Sequence, residues 1–229
     1  MNTEPMLSLL QFADGLFPAG SHAHSGGLET FTSFGTIADA DGVEAFLRSA
    51  LEWSVAPCDG VAAVACLRAA SAGDLAACLE LDLHLDASKP ARESREASRQ
   101  MGRQVLRVAR GMETHPVLAA FAEMAAACET PAHHAVAFGV AGAAFGWPAL
   151  ETISAYLHSF AAASVNAALR LLPVGQMAGQ RILSNLRPLL ARLARETSGS
   201  TREEMWSFAP SLEFAAMAHA ALDARLFRS

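Results

Sequence analysis

Apolar residues recur along nearly the whole chain at intervals of three and four, and no segment alternates apolar and polar residues in the rhythm of a half-buried strand. That periodicity admits helices and offers no sheet to pack them on, so the expected fold class is all-α. Alanine, about a fifth of the 229 residues, strengthens the bias because it loses no side-chain entropy in a helix. Glycine, proline and short polar residues divide the pattern into about ten helices. They are expected near 4–12, 27–34, 41–55, 59–71, 74–86, 90–112, 114–130, 133–145, 148–172 and 174–196, with two short segments around Pro210 closing the chain. Asp41 with Glu44 reads as a capping box for the third, and Gly35 as the stop of the second. No Ser/Gly/Pro-rich linker, low-complexity tract or internal repeat intervenes. Residues 1–229 are therefore expected to form a single-domain helical bundle.

Apolar types make up 52% of the chain and charged types only 17%, enough to bury a core and to exclude disorder. Seventeen basic residues against 23 acidic give a net charge of −6, which disfavours nucleic acid as a partner. Cys58, Cys66, Cys78 and Cys128 form no CxxC pair and read as reduced core residues. The first residues lack a basic n-region and a long apolar run, so no secretory leader is expected. The longest uncharged apolar stretch, 135–150, is too short for a bilayer and is broken by glycines and Pro148. Together these features predict a cytoplasmic protein with no membrane partner.

Catalytic signatures are missing. A P-loop needs glycine amides and a lysine to cradle phosphates, and the single lysine here, Lys89, precedes a proline. GxGxxG, GxSxG and HExxH are absent too. Two alternatives stay open. Glu80, Asp82, His84 and Asp86 are a candidate metal cluster or a charged solvent face, and Glu80, His84 and Asp86 are candidate groups of a polar pocket in a small helical enzyme. His22, His24, His133 and His134 are candidate ligands of a nickel-binding protein, His22 and His24 being the better pair because adjacent helical residues point about 100° apart.

Four stretches stand out. The loop from Phe17 to Glu29 carries Pro18, Gly20, Ser21, His22, His24, Ser25, Gly27 and Leu28. So much small and helix-breaking character calls for a fixed irregular backbone, with Ser25 or Gly26 as helix cap. Lys89, Arg92, Arg95, Arg99, Arg103, Arg107 and Arg110 fall on one helix face, opposite Ser94, Ala97, Met101, Val105, Val108 and Met112. Such a stripe is either a solvated face laced with pairs such as Arg92–Glu96 or a surface for an acidic protein. Pro173 and Gly175 break two long helices, after which Gln176 and Gln180 form an amide pair at a helical corner or beside a polar cavity. Finally Arg225, Leu226, Phe227, Arg228 and Ser229 end the chain as an apolar pair bracketed by arginines, a form suited to docking.

These stretches resemble the urease accessory protein UreF family. The matching pieces are 14–21 (Asp-Gly-Leu-Phe-Pro-Ala-Gly-Ser), 24–29 (His-Ser-Gly-Gly-Leu-Glu), 89–98 with Gly102, 172–176 with Gly179 and Gln180, and the closing Arg-Leu-Phe-Arg-Ser. His22 departs from the family pattern, which more often has an aromatic or apolar residue there. The resemblance implies an all-α protein with no catalytic site and no cofactor of its own. It also implies a dimer that binds the accessory protein UreD (also called UreH) and the GTPase UreG, an assembly that delivers nickel to apo-urease at the expense of GTP. The tail 225–229 would order against UreD, the loop 17–29 would shape the core and dimer region, and nickel would pass through the assembly; our own choice of residues near that route is His22, His24, Gln176 and Gln180.

Overall fold

The computed structural model describes residues 3–228, so Ser229 lies outside the described residues. The helices are α1 (Glu4–Ala13), α2 (Leu28–Ser33), α3 (Ala40–Ala50), α4 (Val61–Ser71), α5 (Leu75–Ala87), α6 (Arg92–Met112), α7 (Pro116–Ala126), α8 (His134–Phe145), α9 (Ala149–Leu171), α10 (Gln176–Thr197) and α11 (Pro210–His219). No strand occurs among the described residues, and the all-α expectation is met.

The largest departure from the expected boundaries lies between α3 and α4. Two separate helices were expected; instead Leu51–Gly60 continues the rod as a π-helical segment containing Pro57. Proline cannot donate to the carbonyl four residues back, and widening the coil accommodates that missing bond without ending the helix. The merged helix 40–71 is long and apolar enough to cross a bilayer by length and composition, yet 72% of its most apolar stretch is buried inside the protein. It is a core helix.

α8 explains that burial. Every residue from Ala135 to Gly142 is buried. A helix apolar all round must be surrounded, and α4, α6, α9, α1, α5 and α7 pack about it. α6 meets its N-terminal end at Gly102, where an added Cβ would lie 1.9 Å from the Ala132 carbonyl oxygen. On α6, Ala97, Ser98, Gly102, Val105, Leu106 and Ala109 face inward, while Met112 is 45% exposed. The expected apolar stripe is thus right for Ala97 and Val105 and wrong for Met112.

Three local expectations are corrected. The cap of α3 is Asp39, whose carboxylate accepts the Gly42 N–H at 2.9 Å. Asp41 lies inside the first turn, and Glu44 turns to Arg48 and Asn185 instead. Cys58, Cys66 and Cys78 are buried free thiols, but Cys128 is exposed in the turn after α7, with φ 59°. Lys89 precedes α6 and is no part of its outer stripe.

Candidate functional site

The short helix α11 and the chain's end converge on one carboxylate at the start of α2. Gly27, at φ +90°, turns the chain into α2, and a side chain there would press on Ala215 of α11. The cap of α2 is Gly27 itself, not Ser25 or Gly26 as expected; the Ser25 hydroxyl, two residues earlier, accepts the Glu29 N–H at 3.4 Å. Glu29, in the first turn, is therefore directed inward and is only 3% exposed.

Glu29 is shared by two elements. Its Oε1 accepts the Leu226 N–H at 2.5 Å and its Oε2 the Phe227 N–H at 3.1 Å. The same Oε2 lies 2.8 Å from Nε2 of His219, a fully buried residue of α11. On its other side His219 Nδ1 is 2.7 Å from Glu93 of α6, which also pairs with Arg225 at 3.0 Å. His219 thus bridges the two carboxylates, one at each ring nitrogen. Burial raises the Glu29 pKa, but the His219 bond and the two tail amides outweigh it and hold the carboxyl below its usual range.

The tail is thereby fastened to its own molecule. Phe227 is 5% exposed and part of the core, with the Arg170 guanidinium 4.4 Å from its ring centre. Arg170 also donates to the His22 carbonyl at 3.2 Å, and the Arg228 N–H to the Ala23 carbonyl at 2.8 Å. The expectation of an exposed Leu–Phe pair is corrected: Phe227 fills a pocket of this chain, while Leu226 stays 53% exposed. The backbone carbonyls of the irregular 3-10 turn Ser21–Ala23 supply what holds it.

Below this latch lies a cavity of about 350 Å³, its walls including His22, His24, Lys89, His134, Tyr156 and Glu213. Lys89 Nζ donates to Asp59 of the π-helical segment at 2.9 Å, and the Tyr156 hydroxyl lies 3.5 Å from the other Asp59 oxygen. Burial pulls the Lys89 pKa down, yet Asp59 raises it further, so the net shift is upward. His134, packed on Tyr156 with ring centres 5.3 Å apart, is pushed by burial to a pKa of about 4. His24 is pushed to about 4 as well, by burial first and then by Arg228 and His22. Burial drives Tyr156 well above its usual value and raises Glu213.

Other expected groups are dispersed. Arg99 pairs with Asp86 at 2.5 Å, Arg95 donates to the Lys89 carbonyl, Arg103 to that of Pro131, and Arg110 pairs with Glu123. Much of the arginine stripe is thus engaged within the molecule, and Arg92, paired with Glu96, is the most open of the ion-paired arginines. Glu80 binds Arg202, while His84 is exposed. Asp82, fully buried, accepts from Thr130 and from the amides of Ala132 and His133. None of Glu80, Asp82, His84 and Asp86 lines the cavity below the latch. His133 bridges Asp86 and Ser98, and the Ser98 hydroxyl also accepts the His134 N–H. Gln176 and Gln180 are exposed at the start of α10, away from the cavity. Among the described residues no three His, Cys, Asp or Glu side chains gather as a metal site.

His219 was missed by sequence reading because a lone histidine on a short helix carries no pattern; the arginine-flanked tail after it was the only nearby signal.

The UreF family model matches residues 37–187. Similarity to curated proteins extends well beyond that span. The chain is 31% identical over 228 residues to the urease accessory protein UreF of Bacillus sp. (strain TB-90), covering 98% of this chain and 99% of that one. It is 34% identical over 228 residues to that of Cereibacter sphaeroides, 98% of each chain, and 32% identical over 225 residues to that of Azoarcus sp., 98% and 96%. With a family match over more than half its length, and relatives of this identity aligned from end to end, the chain belongs to the UreF family of urease accessory proteins.

Proposed function

We propose that this protein is a non-catalytic scaffold of urease maturation, acting in the cytoplasm as a homodimer that joins UreD (UreH) and the GTPase UreG. On this reading nickel and GTP are cargo and fuel of the assembly that loads apo-urease, and neither is a cofactor of this chain. Family membership and the relatives' names support the role in urease maturation. The lone lysine supports assigning nucleotide chemistry elsewhere, because Lys89 is spent on Asp59 and cannot reach a phosphate.

The observation that carries the docking part is the built tail. Glu29 and the Phe227 pocket fix its backbone, leaving Leu226 and Arg228 exposed while Arg225 pairs with Glu93 of the same chain. Preorganised residues lose less entropy on association, which favours binding. Arg92 and Arg103 on α6 extend the basic character toward an acidic partner.

Co-expression with UreD and UreG followed by gentle affinity purification tests this reading. Stoichiometric recovery of all three is expected, falling at least tenfold for Leu226→Asp with Arg228→Glu while far-UV helicity is unchanged. Exposed charge contacts should also weaken with salt, because screening acts over about 10 Å at 0.1 M. Failure of the unaltered chain to associate, or full association of the double variant, overturns the proposal.

A further inference from the structure

A second surface lies in a region that none of the roles above employs. Pro57 has no N–H for the Trp53 carbonyl four residues back, and that oxygen accepts the Phe208 N–H at 2.8 Å. The Trp206 N–H donates to the Pro57 carbonyl at 3.2 Å, and the Ser207 hydroxyl meets that of Ser54 at 3.1 Å. An irregular segment is thus fastened along the π-helical stretch, standing the Trp206 ring edge-to-face against Trp53, centres 5.9 Å apart. Both indoles remain about half exposed, at 46% and 50%, and Phe208 beside them is 71% exposed.

The two rings wall a groove of about 330 Å³ that also takes in Glu52, Glu196, Glu204 and Arg192. Arg192 sits between Glu52 and Glu196, one guanidinium for two carboxylates. Glu204 accepts the Thr201 N–H at 2.7 Å, a bond that leaves its negative charge in place. Three acids against one base on the lining give the groove a net negative field over two π faces.

We infer that this groove is a docking site for an arginine side chain on a basic segment of a protein partner. A guanidinium is planar, weakly hydrated and forked, so it stacks on indole while bonding a carboxylate; an ammonium does only part of this. Exposed tryptophans rimmed by apolar and charged groups are the usual anchors of protein interfaces. The arginine stripe of a second copy is a poor occupant. Its Arg95, Arg99, Arg103 and Arg110 are already engaged within their own molecule, and Arg92 is paired with Glu96.

The test titrates the full chain with acetyl-tetra-arginine amide, tetra-lysine and tetra-glutamate peptides, by calorimetry and by tryptophan fluorescence. Trp147, buried and bonded to Ser8, serves as the silent internal control among the three tryptophans. Saturable tetra-arginine binding is expected, several-fold weaker with tetra-lysine and absent with tetra-glutamate. Trp206→Ala should weaken it at least tenfold, and Glu204→Gln several-fold. The glutamine can still accept the Thr201 N–H, so that variant keeps the fold if Trp206→Ala does not. Unchanged affinity in Glu204→Gln and in a folded Trp206→Ala, no saturable arginine binding, or occupation of the groove by self-association in sedimentation runs overturns the assignment.

Discussion

Glu29 is a single side chain with donors from two directions, and its removal would be felt at both. Glu29→Gln keeps the shape but removes the carboxylate charge that accepts from His219 and the tail, and one of its positions donates where the tail also donates. A cost of about 2–3 kcal/mol is expected, since buried partners are left unsatisfied. Chemical denaturation measures it, and amide exchange at Leu226 and Phe227 should accelerate; unchanged exchange would show that the tail is held by Phe227 alone. The sign of the pH effect follows from the depressed carboxyl pKa. Its stabilisation is present above the usual carboxylate range and is lost as pH falls through the lower folded value. Gly102 is the second sensitive residue. Alanine there would meet backbone, not a yielding side chain, so Gly102→Ala should destabilise by about 1–3 kcal/mol or separate α6 from the start of α8. A thermal melt equal to that of the parent chain would refute the close approach.

At the scale of elements, the rod 40–71 does more than fill the core. Its π-helical segment carries Asp59 to the cavity and offers the Pro57 and Trp53 carbonyls to the 206–208 segment. Breaking the ion pair from the acid side strands Lys89, whose side chain is only 18% exposed. Asp59→Asn is therefore expected to cost about 3–5 kcal/mol, the scale for one partner of a buried pair. Urea unfolding checks this, and Lys89→Met should restore much of the loss, because the double variant removes both charges of the pair. No rescue would mean that Asp59 matters chiefly through Tyr156. Ser98 and Gly102 show the same lesson on α6. The sequence drew attention to its arginines, but the inner face of that helix is defined by a hydroxyl and a bare α-carbon seated on the N-terminal end of α8.

Across the whole molecule, acid should loosen the fold in two stages. His24 and His134 take a proton near 6.5 when unfolded but only near 4 when folded. Between those values the unfolded chain binds more protons, so stability drops as pH is lowered, by at most about 1.4 kcal/mol per unit for each histidine. Melting temperatures at pH 7, 6 and 5 should decline, and His134→Gln should flatten the decline; a profile identical to the parent's would place that proton elsewhere. Loss of the Glu29 contribution follows at lower pH. The fold class, most helices and the unusual loop and tail were legible in the sequence, because period, capping residues and breakers act over a few residues. The merging of 41–55 with 59–71 was not, since a proline inside a pattern normally stops a helix and only surrounding packing made continuation favourable. Nor was it legible that Glu29, Glu93 and His219 meet, for they are brought together from positions up to 190 residues apart. What the chain determined alone was the all-α character and which stretches depart from it, because backbone preference and apolar spacing are local. Which way the tail faces, which arginines stay free and where charges are buried were decided only by tertiary packing, because burial and pairing depend on neighbours that the linear order does not name.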